Sequence, residues 1–126
     1  MNSDELIQVD LTPAEQDMLA QGLSQWGGPA SPTDELARAM GFQGTQDLWR
    51  GKGRELRDAL RLGKPLTRQD WRRTLLATEI VFASDVVGVG TDWPFTTGLS
   101  DEETITALRT IQKKIGHAIH RARPIV

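Results

Sequence analysis

Helix punctuation constrains this chain more than any other feature. Thr12-Pro13-Ala14-Glu15 places a hydroxyl at an N-cap, proline at the first helical position and glutamate three residues after the cap, so the orphan backbone donors of a helix start find partners at once. The helix this opens is expected from about Pro13 to Trp26, ending at Gly27-Gly28-Pro29, where glycine turns left-handed and proline cannot continue. Ser31-Pro32-Thr33-Asp34 opens a short second helix, Asp34 to Met40, stopped at Gly41. Thr45 caps a third running to Leu62, and Thr67-Arg68-Gln69-Asp70 repeats the opening box for a fourth. Ser100-Asp101-Glu102-Glu103 is the clearest box: its three acids favour the positive end of the helix dipole, while Lys113, Lys114, Arg121 and Arg123 gather near the far end before Pro124.

Only Ile7, Val9 and Leu11 alternate in the manner of a strand, and one short strand cannot hold a sheet. The expected fold is therefore all-α: a single compact bundle of four to five helices over residues 1–126, mostly antiparallel, with residues 1–11 extended or loosely ordered. One long connection precedes the last helix, Gly88 to Leu99, rich in glycine and threonine and containing Trp93, Pro94 and Phe95. A chain of 126 residues buries roughly 65–70% of its unfolded surface and needs no staple. It has no cysteine, which removes disulfides, thiol catalysis and thiolate zinc sites from consideration. The first ten residues carry acids and no basic stretch, and no apolar run approaches the ~18 residues of a membrane span, so a cytoplasmic chain without membrane contact is expected. Arginine outnumbers lysine eleven to four, a composition typical of bacterial genomes rich in G and C.

Charge is unevenly laid out: residues 1–49 carry net −7, residues 50–73 net +6, and residues 74–126 net −1. Within the basic stretch Arg50, Arg54, Arg57 and Arg61 recur at helical spacing on one side of the expected third helix, opposite Leu48, Leu56, Ala59 and Leu60. Four stacked like charges repel by a few tenths of a kcal/mol per contact, so a nearby anion is the simplest reason to tolerate them. Three sources qualify. The chain's own Asp10, Glu15, Asp17, Asp34 and Glu35 could cover the stripe; an acidic protein partner could take it, since guanidinium forks suit carboxylates; or nucleic acid could. A second copy's acidic segment would make a homo-oligomer. Residues 35–42 followed by Gln43-Gly44-Thr45 and a helix containing Leu48 resemble a helix-turn-helix, with alanines where helices pack and glycine at the turn. The turn is short, and Asp47 stands where that motif wants an apolar residue.

A second feature is Glu79. At 100° per residue Trp71, Leu75, Phe82 and Val86 form one apolar strip, Leu76, Ile80, Ala83 and Val87 a second, and Glu79 falls between them. A carboxylate in that position must be paired, protonated or hydrated. Paired, it is structural; hydrated in a pocket without a cation, with Asp92 or Asp101 folding back toward it, it is a general base. His117 and His120 share a metal-compatible spacing but sit among cations, and Gly88-Val89-Gly90 lacks the rest of a dinucleotide fingerprint, so neither metal nor cofactor is expected. Trp93 and Phe95 either plug one end of the bundle or anchor a partner. The leading expectation is a small non-enzymatic interaction or regulatory domain that binds an acidic partner through the arginine stripe and the aromatic loop. A nucleic-acid-binding regulator and an enzyme using Glu79 are the alternatives.

Overall fold

The computed structural model describes residues 5–122. The α-helical stretches are α1 (Pro13–Ser24), α2 (Asp34–Ala39), α3 (Thr45–Trp49), α4 (Lys52–Arg61), α5 (Arg68–Ala83), α6 (Trp93–Thr97) and α7 (Asp101–Ala122); α1, α2, α5 and α7 open where the punctuation places them, whereas α3 starts after Gly44 without a side-chain cap from Thr45. The opening boxes work as their chemistry requires. The Glu15 N–H donates to Thr12 Oγ1 at 3.1 Å and the Thr12 N–H donates to Glu15 Oε1 at 2.8 Å. Thr67 accepts from the Asp70 N–H, and Ser100 from the Glu103 N–H, each at 3.1 Å. The fold is all-α apart from one small pairing, and among the described residues no helix is long and apolar enough to cross a membrane. The expected stop at Pro124 lies outside the described residues.

Among the described residues the segment ahead of α1 is extended and tied down. Leu6–Ile7 (β1) pairs antiparallel with Leu66–Thr67 (β2), Leu6 opposite Thr67 and Ile7 opposite Leu66. Beyond it Val9 and Leu11 are buried. The pairing persists at two residues because the Trp71 indole N–H donates to the Ile7 carbonyl at 2.8 Å, which leaves neither group unsatisfied in the core. Two other buried indoles clamp in the same way: Trp26 donates to the Ala77 carbonyl at 3.1 Å, and Trp93 to Thr104 Oγ1 at 2.7 Å. The core forms where α1 packs on α4 and α5, with α7 laid against α5, α1 and β1.

Two helices depart from expectation. The segment from Thr45 to Leu62 is not one helix: it breaks at Arg50 and Gly51, and α3 and α4 meet at an angle set by Gly53, where a methyl group would collide with the Leu48 carbonyl oxygen. Asp47 ties the start of α4 to α3, accepting from the Lys52 N–H at 2.9 Å, and also accepts from the Gln43 N–H ahead of α3 at 3.0 Å. The second departure is the phase of α5. Its buried side is Trp71, Thr74, Ala77, Thr78 and Val81, while Leu76 is 36% exposed and Ala83 is also exposed. Thr78, polar on any scale, takes a core position because its Oγ1 bonds back to the Thr74 carbonyl at 3.0 Å and its methyl lies against Gly22 of α1, while the Thr74 Oγ1 is buried without a partner. Glu79 is thereby turned out of the centre of the core.

α7 is secured to α1 by Lys114, whose ammonium lies 2.7 Å from Glu15 Oε1. Burial pushes the Glu15 carboxyl up, but the Lys114 hydrogen bond and charge, with the Thr12 N–H and hydroxyl, outweigh it and hold its pKa below the ordinary 4.5. A depressed carboxylate adds stability that is present above the unfolded pKa and lost as pH falls through the folded one. Glu15→Gln is therefore expected to cost about 1 kcal/mol at pH 7, with the gap to the parent closing as pH falls from the ordinary carboxyl pKa of 4.5 through the lower folded one. Urea unfolding across that range measures it; a gap independent of pH would assign the cost to packing alone.

Candidate anion-binding face

The basic stretch is organised by Trp49, the last residue of α3. Its carbonyl accepts from Arg57 Nη2 at 3.2 Å, and the Arg50 guanidinium sits 5.0 Å from its ring centroid, a cation–π distance. The same ring lies against Gly27. A tryptophan directly before the arginine stripe is its sequence signal, and a continuous helix from Thr45 to Leu62 would hide it. The break at Gly51 reorients Arg50, so the four arginines do not form one helical row. Arg50 stands at the break, Arg54 and Arg61 are exposed two turns apart on α4, and Arg57 is half-buried, pinned toward Trp49 and, at 3.5 Å, Ser24 Oγ.

Burial lowers the pKa of the Arg57 guanidinium; Asp58 opposes that shift, and Arg61 and Arg54 reinforce it. An arginine so lowered is still charged at neutral pH. Arg57 thus acts as a fixed positive charge beneath the exposed pair. Arg54 and Arg61 are seven residues apart, about 10 Å along the helix axis.

Three of the chain's own acids that could cover the stripe have other partners. Glu15 pairs with Lys114, Asp17 accepts from the Gln21 amide at 2.8 Å, and Asp34 accepts from the Thr45 N–H at 2.9 Å. That backbone bond, with the Thr45 side chain, lowers the Asp34 pKa from 3.8. Lys52 meets Glu55 and Asp70 at 3.3 and 3.6 Å, and Arg73 meets Asp70 at 2.8 Å. Among the described residues no carboxylate lies within ion-pair distance of Arg50, Arg54, Arg57 or Arg61.

The other candidate positions resolve differently. Trp93 is wholly buried, packed edge-on against Phe82 at 5.5 Å, so it is a core residue and not a partner anchor. The expected loop contains α6, which begins with a proline in its first turn and ends at Gly98 with positive φ. Proline just inside a helix and glycine just beyond it are the signal that a loop reading passed over. Phe95, on the far side of α6 from Trp93, is 88% exposed. Glu79 is half-buried in a groove between α5 and α7, where its carboxylate accepts from Gln112 Nε2. Asp92 and Asp101 are exposed and line no part of that groove, and Asp101 begins α7 about 16 Å along the axis from Gln112. The paired-carboxylate arrangement is therefore not formed.

The helix-turn-helix resemblance fails on length. α3, in the place of a recognition helix, has five residues, about 7.5 Å, and stops at Arg50. The chemistry of the face rests on its own residues, for no known protein family, curated protein or solved structure matches this chain.

Proposed function

We propose that this chain is a non-enzymatic, cytoplasmic interaction module of regulatory type, and that Arg50, Arg54 and Arg61 bind an acidic segment of a protein partner. The observation that carries the reading is the separation of charge within the molecule. The half-buried cations Lys52, Arg57, Arg73 and Lys114 have internal carboxylates or carbonyls, whereas the exposed arginines of the α3–α4 corner have no carboxylate partner among the described residues. Exposed guanidiniums beside a pinned third charge favour a ligand with carboxylates spaced by about two helical turns, and Arg50 held over the Trp49 ring is preorganised for a bidentate contact. Protein is favoured over nucleic acid because the chain carries net −2 and the basic patch is small, flanked by Glu55 and Asp58.

The test uses fluorescence anisotropy with a labelled oligoglutamate peptide and a labelled DNA duplex, at about 50 and about 200 mM salt. The peptide is expected to bind more tightly than the duplex, and Arg54→Glu with Arg61→Glu to weaken it at least about tenfold without changing the circular dichroism spectrum. Tighter duplex binding with a steep salt slope, or peptide binding indifferent to both substitutions, would overturn the assignment.

A further inference from the structure

A different surface, on α7, is complementary to itself. Its core side is Thr104, Leu108, Ile111, Ile115 and Ala118, all buried. Thr104 occupies a position that the helix pattern would give to Ile105, because the Trp93 indole N–H needs an acceptor there. Ile105 is left 57% exposed. It stands on the rim of a groove of about 270 Å³ between α5 and α7, floored by Phe82, Ala83 and Leu108. The polar rim of that groove is already satisfied: Arg109 Nη1 donates to Gln112 Oε1 at 2.9 Å, and Gln112 Nε2 donates to Glu79.

On the same exposed side of α7 Glu102 precedes Ile105 by three residues and Arg109 follows it by four. Inverting the helix about the point midway between Ile105 and Thr106 exchanges those two positions. A two-fold axis beside Ile105 therefore sets Glu102 of one copy against Arg109 of the other, twice, and brings each Ile105 over the opposite groove. A parallel arrangement would oppose like charges. Knob, groove, acid and base all lie on one patch, which is the requirement for an isologous contact.

We propose that this face docks on the same face of a second copy, with the two α7 helices antiparallel. The experiment is sedimentation velocity on the full chain from micromolar to several hundred micromolar. It is expected to show a reversible transition from the 14.0 kDa monomer to twice that mass. Ile105→Asp should weaken the dimer at least about tenfold, and so should Glu102→Arg or Arg109→Glu alone, whereas the double charge exchange restores it. These positions are exposed, and unchanged helical circular dichroism verifies that each variant folds. A monomer at every concentration would overturn the proposal, as would a dimer indifferent to Ile105→Asp or one lost on Arg54→Glu with Arg61→Glu. Because the arginine corner and this face share no residue, failure here leaves the partner-binding test intact.

Discussion

Trp93→Ala is expected to destabilise the protein by about 4 kcal/mol, the cost of emptying a large, fully packed aromatic site. Three losses combine. The indole leaves a cavity at the junction of α5, α6 and α7; its edge-on contact with Phe82 goes; and Thr104 keeps a buried hydroxyl with one partner fewer. Phe95, two residues away and equally aromatic, should tolerate alanine within about 0.5 kcal/mol, since little of it is packed. Urea or thermal unfolding of the two variants side by side measures the contrast. Similar costs for both would mean that α6 does not divide its aromatics into one inward and one outward residue.

The second large effect is expected at Gly53, and its sign opposes the rule for helices. In an exposed helix interior, alanine for glycine stabilises by about 1 kcal/mol. At Gly53 the added methyl would meet the Leu48 carbonyl oxygen. Neither side can yield cheaply: Leu48 is fully buried, and the Lys52 N–H is held by Asp47. Gly53→Ala is therefore expected to cost about 3 kcal/mol, the upper range for overpacking, because the obstacle is backbone and not a flexible side chain. Relief would require α4 to swing away from α3, which would also break the Arg57 contact with the Trp49 carbonyl and reset the spacing of the exposed arginines. A Gly53→Ala protein as stable as the parent would show that the α3–α4 corner is not enforced by this contact.

Both cases mark where local reading stops. The opening boxes at Thr12, Thr67 and Ser100 were legible because a cap is satisfied within four residues and needs no knowledge of the rest of the chain. The clustering of arginine between residues 50 and 61 was legible for the same reason. The partners of those arginines were not, since Lys114, distant in sequence, claims Glu15, and the Thr45 N–H claims Asp34. Hydropathy sets Glu79 in the centre of the apolar arc because it ranks threonine with polar residues, whereas Thr74 and Thr78 lie in the core.

What the sequence by itself determined is the all-α character, the starts of the principal helices and the presence of a basic corner, all consequences of interactions that close over a few residues. The tertiary structure alone decided where the third helix breaks, which aromatic of the Trp93–Phe95 pair faces the core, and which arginines are left without a carboxylate. Those outcomes depend on contacts between residues far apart in the chain, where a single backbone oxygen or indole N–H can outweigh the periodicity of a whole helix.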